Sequence, residues 1–192
     1  MSVVVAIKYN KGIAIAADRE TTYGIRKFSN DEEKIHQYHY SKLVLGAVGR
    51  ARASQILFEE EELMDYKDIL DKKELSKSYC IKNIVPKIFN LMRENHLIEK
   101  TGEEEFLLND FIICSSQNAF RIFSDGTVQS IDKFNYLTIG CGDDFVYGLL
   151  DSVDLNNIDK NQAKKMLNIA ITKACKNVNC IDDNIDMIFL EN

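Results

Sequence analysis

The chain opens on two apolar runs, Ser2–Ile7 and Gly12–Ala17, separated by the polar Lys8-Tyr9-Asn10-Lys11. Both are short, rich in β-branched or small residues and apolar at nearly every position. They predict an antiparallel hairpin buried on both faces rather than one with a wet side. A second strand pair is expected at Lys34–His39 and Lys42–Val48, turning on Tyr40-Ser41. After Gly49 the spacing becomes helical. Ala53, Ile56, Leu57, Leu63 and Met64 form one stripe ending near Asp65. A second helix, about Ser78 to His96, carries Ile81, Ile84, Val85, Ile88, Phe89 and Met92 on one face. Pro86 inside it predicts a kink or a shortening, because its N–H is missing. Strands resume at Asp110–Ser115, Ala119–Ser124 and Thr127–Ile131, the last two turning on Asp125-Gly126, and at Tyr136–Ile139. Helices follow at Asp143–Ser152 and Lys160–Asn177, the second opened by Asp159 as its N-cap, and Ile185–Leu190 is a closing strand.

Runs of strands followed by runs of helices, with strands apolar on both sides, predict an α+β fold of four layers. Two antiparallel sheets face each other and a pair of helices covers each. No repeat or linker breaks the pattern, so residues 1–192 are expected to form one domain.

Composition narrows the function. A net charge of −6 argues against nucleic acid as a partner, since phosphate binding needs clustered Lys and Arg. No stretch approaches the roughly 20 apolar residues needed to cross a bilayer, and the start lacks the features of a signal peptide. A cytoplasmic protein is expected. The five cysteines (Cys80, Cys114, Cys141, Cys175 and Cys180) form no CxxC pair and read as reduced thiols; neither a zinc site nor a cofactor is expected. The acidic runs Glu59–Glu62 and Glu103–Glu105 read as a solvated helix end and a loop, or as docking points for a basic partner.

Candidate chemistry starts in the opening hairpin. With its turn centred on Asn10, paired residue numbers sum to 20, which sets Ser2 opposite Asp18. Lys34 follows Asp18 after the same interval of 16 residues. A lysine beside a carboxylate keeps its charge, and its field lowers the cost of an alkoxide on Ser2. Small Ser2 also permits removal of Met1. The freed α-amine, with a reference pKa of about 8, could then serve as general base for its own hydroxyl. Gly46-Ala47-Val48-Gly49 runs from a strand into a helix, a place for close substrate approach and for outward N–H groups that hold an oxyanion. Plainer readings compete. Asp18 could pair with Arg19, Lys34 could be a solvated charge, and the glycines could serve a tight turn.

Ser2–Phe58 resembles proteasome β subunits and, more closely, HslV-type peptidases. The resemblance rests on the N-terminal hydroxyl residue, on Ile13–Gly24 (IAIAADRETTYG), on Lys34 and on Lys42–Glu59 (KLVLGAVGRARASQILFE). Phe123–Leu150 is similar to the family's turn, loop and Gly-Ser-Gly-Gly segment. The resemblance implies the N-terminal-nucleophile hydrolase fold and attack by Ser2 on a peptide carbonyl through an acyl-enzyme. Asp18 and Lys34 would tune the site, Gly49 N–H would hold the oxyanion, and Thr21, Thr22 and the Gly46–Val48 backbone would pair with an extended polypeptide substrate. It also implies homo-oligomeric stacked rings served by an ATP-driven (AAA+) unfoldase. Three departures stand out. Ser2 replaces the usual Thr, Cys141 stands where a Ser near the nucleophile's amine is usual, and Val178 and Ile181 occupy the places of a C-terminal Asp and Ser unless Asp182 or Asp183 serves. By the same resemblance Glu32 and His36 fall where the family lines the pocket beside the scissile bond and Ala47 would leave that pocket open, which implies a taste for basic or polar side chains. A ring subunit without activity that keeps Met1, and an amidase or acyl transferase of the same fold, are the alternatives.

Overall fold

Strand β1 (Val3–Tyr9) and strand β2 (Gly12–Asp18) form the opening hairpin, and every residue of β2 is buried. The computed structural model describes residues 2–23, 26–29, 33–39, 42–60, 75–177 and 184–192, with the backbone alone for 21–23 and 26–29. The hairpin turns on two residues, Asn10 and Lys11, so that Tyr9 pairs with Gly12 and Val4 with Ala17. Paired numbers therefore sum to 21, not 20. The three-residue loop expected from Asn10 is corrected to a two-residue one, and Val3 rather than Ser2 lies level with Asp18.

Two sheets follow from the remaining strands. The first has the order β12-β1-β2-β13, with β12 at Tyr136–Gly140 and β13 at Ile185–Glu191. The second has the order β11-β10-β9-β6-β5. Its strands are β5 (Ile35–Gln37), β6 (Val44–Gly49), β9 (Asn109–Cys114), β10 (Ala119–Ile122) and β11 (Val128–Ser130). All recorded pairings are antiparallel.

The pleat explains why these strands are apolar throughout. Val4, Ala6, Ile13, Ile15 and Ala17 face the second sheet, where Ile35, Val44, Ile112 and Cys114 meet them. Val3, Val5, Ile7, Ala14 and Ala16 face α3 (Asp143–Leu150) and α4 (Lys160–Asn177). On the far side Leu45, Ala47, Phe111, Ile113 and Phe120 pack under α1 (Ala51–Glu59) and α2 (Val85–Glu94). The layers are helix, sheet, sheet, helix, as expected.

Local chemistry accounts for the element ends. Asp159 accepts from Gln162 N–H while Gln162 Oε1 accepts from Asp159 N–H, a reciprocal cap for α4. Helix α1 stops at Glu59, short of the expected Asp65, and residues 61–74 lie outside the described residues. A run of carboxylates opposes the negative end of the helix dipole, which favours an early stop. Pro86 does not break its helix. A turn at Lys77–Tyr79 and a π segment at Cys80–Ile84 lead into α2, with Pro86 in its first turn. The wider π turn moves the apolar face, so Cys80 is buried and Ile81 is 48% exposed, contrary to the expected stripe.

Two hairpins were not foreseen: β3 (Glu20–Tyr23) with β4 (Arg26–Ser29), and β7 (Ile98–Thr101) with β8 (Glu104–Leu107). The second contains part of the acidic run read as a loop. Glu105 is held there by Arg93 and Lys100, while Leu107 is buried in the core with its partner Ile98 packed beside it.

Candidate active site

The two sheets end beside a cleft of about 1370 Å³. Ser2, Lys34, His36, Ala47, Val48, Gly49 and Cys141 all contribute to its lining. Ser2 immediately precedes β1 and shares the parity of Val4 and Ala6, which sets it on the inter-sheet side. Its backbone is gripped from β12. Cys141 N–H donates to Ser2 O at 3.1 Å, and Ser2 N–H donates to Cys141 Sγ at 3.3 Å.

Asp18 stands behind the cleft wall. Its side chain is fully buried, and its carboxylate accepts from Val3 N–H at 2.7 Å, Glu20 N–H at 3.1 Å and Lys34 Nζ at 2.7 Å. Lys34 Nζ also donates to Glu20 O at 2.5 Å. The plainer reading of an Asp18–Arg19 pair is set aside, because Arg19 bonds Asp186 on β13. Nor is Lys34 a solvated charge, being 8% exposed. The one-residue change in register keeps the contact close by: Asp18 accepts from the Val3 N–H next after Ser2 rather than lying opposite Ser2.

The glycines divide. Gly49 has φ +130°, and a Cβ there would meet Leu108 O at 2.4 Å, so the strand-to-helix corner admits only glycine. Gly46 does not line the cleft. A Cβ on it would meet Val4 Cγ1 at 2.7 Å, so glycine there lets the two sheets approach. Its backbone is also paired on both sides, with Ile35 and Ile112. The expectation that Gly46 meets substrate is therefore corrected to a packing role. Among the described residues β5 pairs with β6 only as far as Gly46, apart from Ala47 N–H to Lys34 O. Among the described residues no strand pairing covers Val48–Gly49 on that side.

His36 stacks on Phe58 with ring centroids 5.2 Å apart and packs edge-on against Tyr38. Its Nδ1 is 3.8 Å from Glu33 Oε2. Thr21 and Thr22 belong to the β3 backbone. Glu32, Val178, Ile181, Asp182 and Asp183 lie outside the described residues.

Sequence reading missed a second set of cleft residues, Arg50, Asp110, Arg121 and Asp143. Arg121 carried a legible signal, a charge inside the apolar run Ala119–Phe123. Burial holds the Asp143 carboxyl above its ordinary value, although the nearby Arg121 opposes this. Among the described residues no cluster of His, Cys, Asp or Glu is arranged to hold a metal, and no helix is long and apolar enough to cross a membrane.

A family model described as proteasome subunit matches residues 2–190. The chain belongs to the proteasome subunit family. Among curated proteins, proteasome subunit beta 2 of Pyrococcus furiosus is 24% identical over 173 residues, covering 90% of this chain and 78% of the relative. Solved structures share the fold. Eukaryotic HslV from Trypanosoma brucei superposes with a TM-score of 0.72 at 18% identity, over 99% of both chains. The Anbu (Gly-1) mutant from Hyphomicrobium sp. strain MC1 gives 0.74 at 16% identity, over 100% of this chain and 82% of its own. BPH of Thiobacillus denitrificans, solved in complex with epoxomicin, gives 0.70 at 19% identity over 98% of both. The proteasome-family fold accounts for the two facing sheets, and the N-terminal-nucleophile hydrolase architecture follows from it.

Proposed function

We propose that this chain is a peptidase whose nucleophile is Ser2 Oγ once Met1 has been removed. One observation carries the reading: the buried Lys34–Asp18 pair, whose carboxylate also fixes the N–H next after Ser2. A buried ion pair is poor value as a stabilising device, since desolvation offsets most of its attraction. A fixed cation at a cleft that contains a hydroxyl has a use in chemistry.

In this reading an extended polypeptide lies along the edge at Val48–Gly49 and the β3 backbone at Thr21–Thr22. Ser2 Oγ attacks the carbonyl carbon while the α-amine takes the hydroxyl proton. Gly49 N–H holds the oxyanion and the Lys34 charge favours the developing alkoxide. The amine then protonates the leaving nitrogen, the C–N bond breaks and an ester to Ser2 remains. Water, deprotonated by the same amine, adds to the ester carbon; the C–Oγ bond then breaks, the amine returns the proton to Ser2 Oγ and the acid leaves. The polypeptide's side chain next to the scissile bond enters the space by His36 and Ala47, which suits basic or polar groups. Copies of the chain assemble as stacked cytoplasmic rings, fed by an ATP-driven unfoldase.

The test is hydrolysis of fluorogenic peptides by protein whose N-terminus has been read by mass spectrometry. Protein lacking Met1 is expected to be active and Ser2→Ala inactive; undiminished activity in Ser2→Ala refutes the reading. A second reading, a ring subunit without hydrolysis, draws on Cys141, because a thiol is a weak hydrogen-bond partner for the amine. Met1 retained in cells favours it.

A further inference from the structure

Arg121 puts a charge at the cleft that the proposed chemistry does not use. Its neighbours Phe120 and Ile122 face the helices, so the pleat turns Arg121 into the space between the sheets, where it is 9% exposed. There its Nη2 donates to Asp110 Oδ2 of β9 at 2.7 Å, and its Nη1 donates to Thr138 O of β12 at 2.9 Å. Nη1 is also 3.7 Å from Asp143 Oδ2, at the start of α3. The ring of Phe123 covers the guanidinium at 4.2 Å.

One side chain thus joins β9 and β10 of the second sheet to β12 and α3 of the first. The points it joins lie next to the chemistry. Thr138 precedes Gly140, which pairs with Val3, and Cys141, which grips Ser2. Asp110 pairs with Val48, and Asn109 with Gly49. Stability is a poor explanation for the cluster. Arg121 Nε and Thr138 Oγ1 are buried without a hydrogen-bond partner among the described residues. Native proteins leave few such atoms, and those that persist call for a reason other than stability.

We propose that Arg121 is a positioning residue that fixes the separation of the two sheets at the cleft, and through it the distance from Ser2 Oγ to Gly49 N–H. The proposal rests on the reading of Ser2 as nucleophile. A guanidinium suits the task because its rigid fork meets acceptors in several directions at once, whereas an ammonium is a point charge. Misplacement of the reacting groups by about 1 Å costs on the order of 10²-fold in rate.

The experiment compares Arg121→Met, Arg121→Lys and Ser2→Ala in the assembled protein. In Arg121→Met, kcat is expected to fall about 10²-fold with KM within about threefold, and Arg121→Lys to fall in between. Amide hydrogen exchange at Gly49 and Cys141 is expected to quicken in Arg121→Met and to stay unchanged in Ser2→Ala. Should Arg121→Met not fold, Arg121→Lys supplies both readouts. Unchanged kcat, or unchanged exchange at both amides, overturns the proposal. Hydrolysis that survives Ser2→Ala overturns the nucleophile reading instead, and the exchange result then still decides whether Arg121 fixes the two sheets.

Discussion

Lys34 Nζ lies 2.7 Å from Asp18 Oδ2 with both side chains withdrawn from solvent, yet the two partners are not equally supported. Asp18 also accepts two backbone N–H groups, from Val3 and Glu20, whereas Lys34 has beyond it the Glu20 carbonyl. Removing either residue should therefore give different results. Asp18→Ala strands a buried ammonium and two N–H groups, and is expected to cost about 3–5 kcal/mol in urea unfolding together with activity. Lys34→Met leaves the carboxylate bonded twice, so it is expected to cost less stability while still abolishing hydrolysis. Equal stability losses in the two variants would contradict this asymmetry.

Cys141 supplies the second prediction. Its thiol meets the Ser2 nitrogen at 3.3 Å and is exposed. A hydroxyl is a stronger partner at that place, so Cys141→Ser is expected to raise kcat several-fold and Cys141→Ala to lower it. The other thiols differ in access. Burial pushes Cys80 up to about 12 and raises Cys114 as well, and Cys175 is also buried. Iodoacetamide should therefore label Cys141 ahead of these three, with activity falling in step. Peptide mapping against residual activity checks both points.

The sandwich was legible because both faces of its sheets are covered, and that requirement is written residue by residue into Val3–Ile7 and Ile13–Ala17. Lys34 and Asp18 were named together from a shared interval of 16 residues, but what joins them is the approach of the two sheets, since β2 and β5 belong to different ones. The turn length was less legible. Neither Asn10 nor Lys11 takes a positive φ, so Asn10 alone did not separate a two-residue loop from one centred on it. The hairpin at Ile98–Leu107 escaped because, of its two short strands, only Leu107 is buried and Ile98 packs beside it, too few apolar contacts to show a period. Arg121 escaped because its partners, Asp110, Thr138 and Asp143, are spread along the chain and meet only once both sheets are assembled.

That charged hairpin makes a pH prediction. Hydrogen bonds from Arg93, then from Lys100, lower the Glu105 carboxyl from 4.5 to about 2. A carboxylate lowered by folding adds stability that is complete above its unfolded value and is lost as pH falls through its folded value. The difference in urea midpoint between the natural chain and Glu105→Gln is thus expected to be steady above about pH 4.5 and to vanish towards pH 2. Because Leu97, Glu99 and Leu107 of this region border the cleft, KM should rise in Glu105→Gln more than kcat falls. A midpoint difference that does not change across this range removes the ion pairs from the hairpin's support.

Gly46 separates packing from substrate approach. A methyl group added there meets Val4 Cγ1 at 2.7 Å and Ile15 Cδ1 at 3.1 Å, both on the facing sheet. Overpacking of this kind costs typically about 1–3 kcal/mol, which in a chain of this size lowers Tm by about 2–12 °C. The expected outcome for Gly46→Ala is a lower Tm with KM unchanged, since the residue's missing side chain points away from the cleft. If substrate instead needs Gly46 for close approach, KM rises while Tm holds. Thermal unfolding and peptide kinetics on the same preparation distinguish the two.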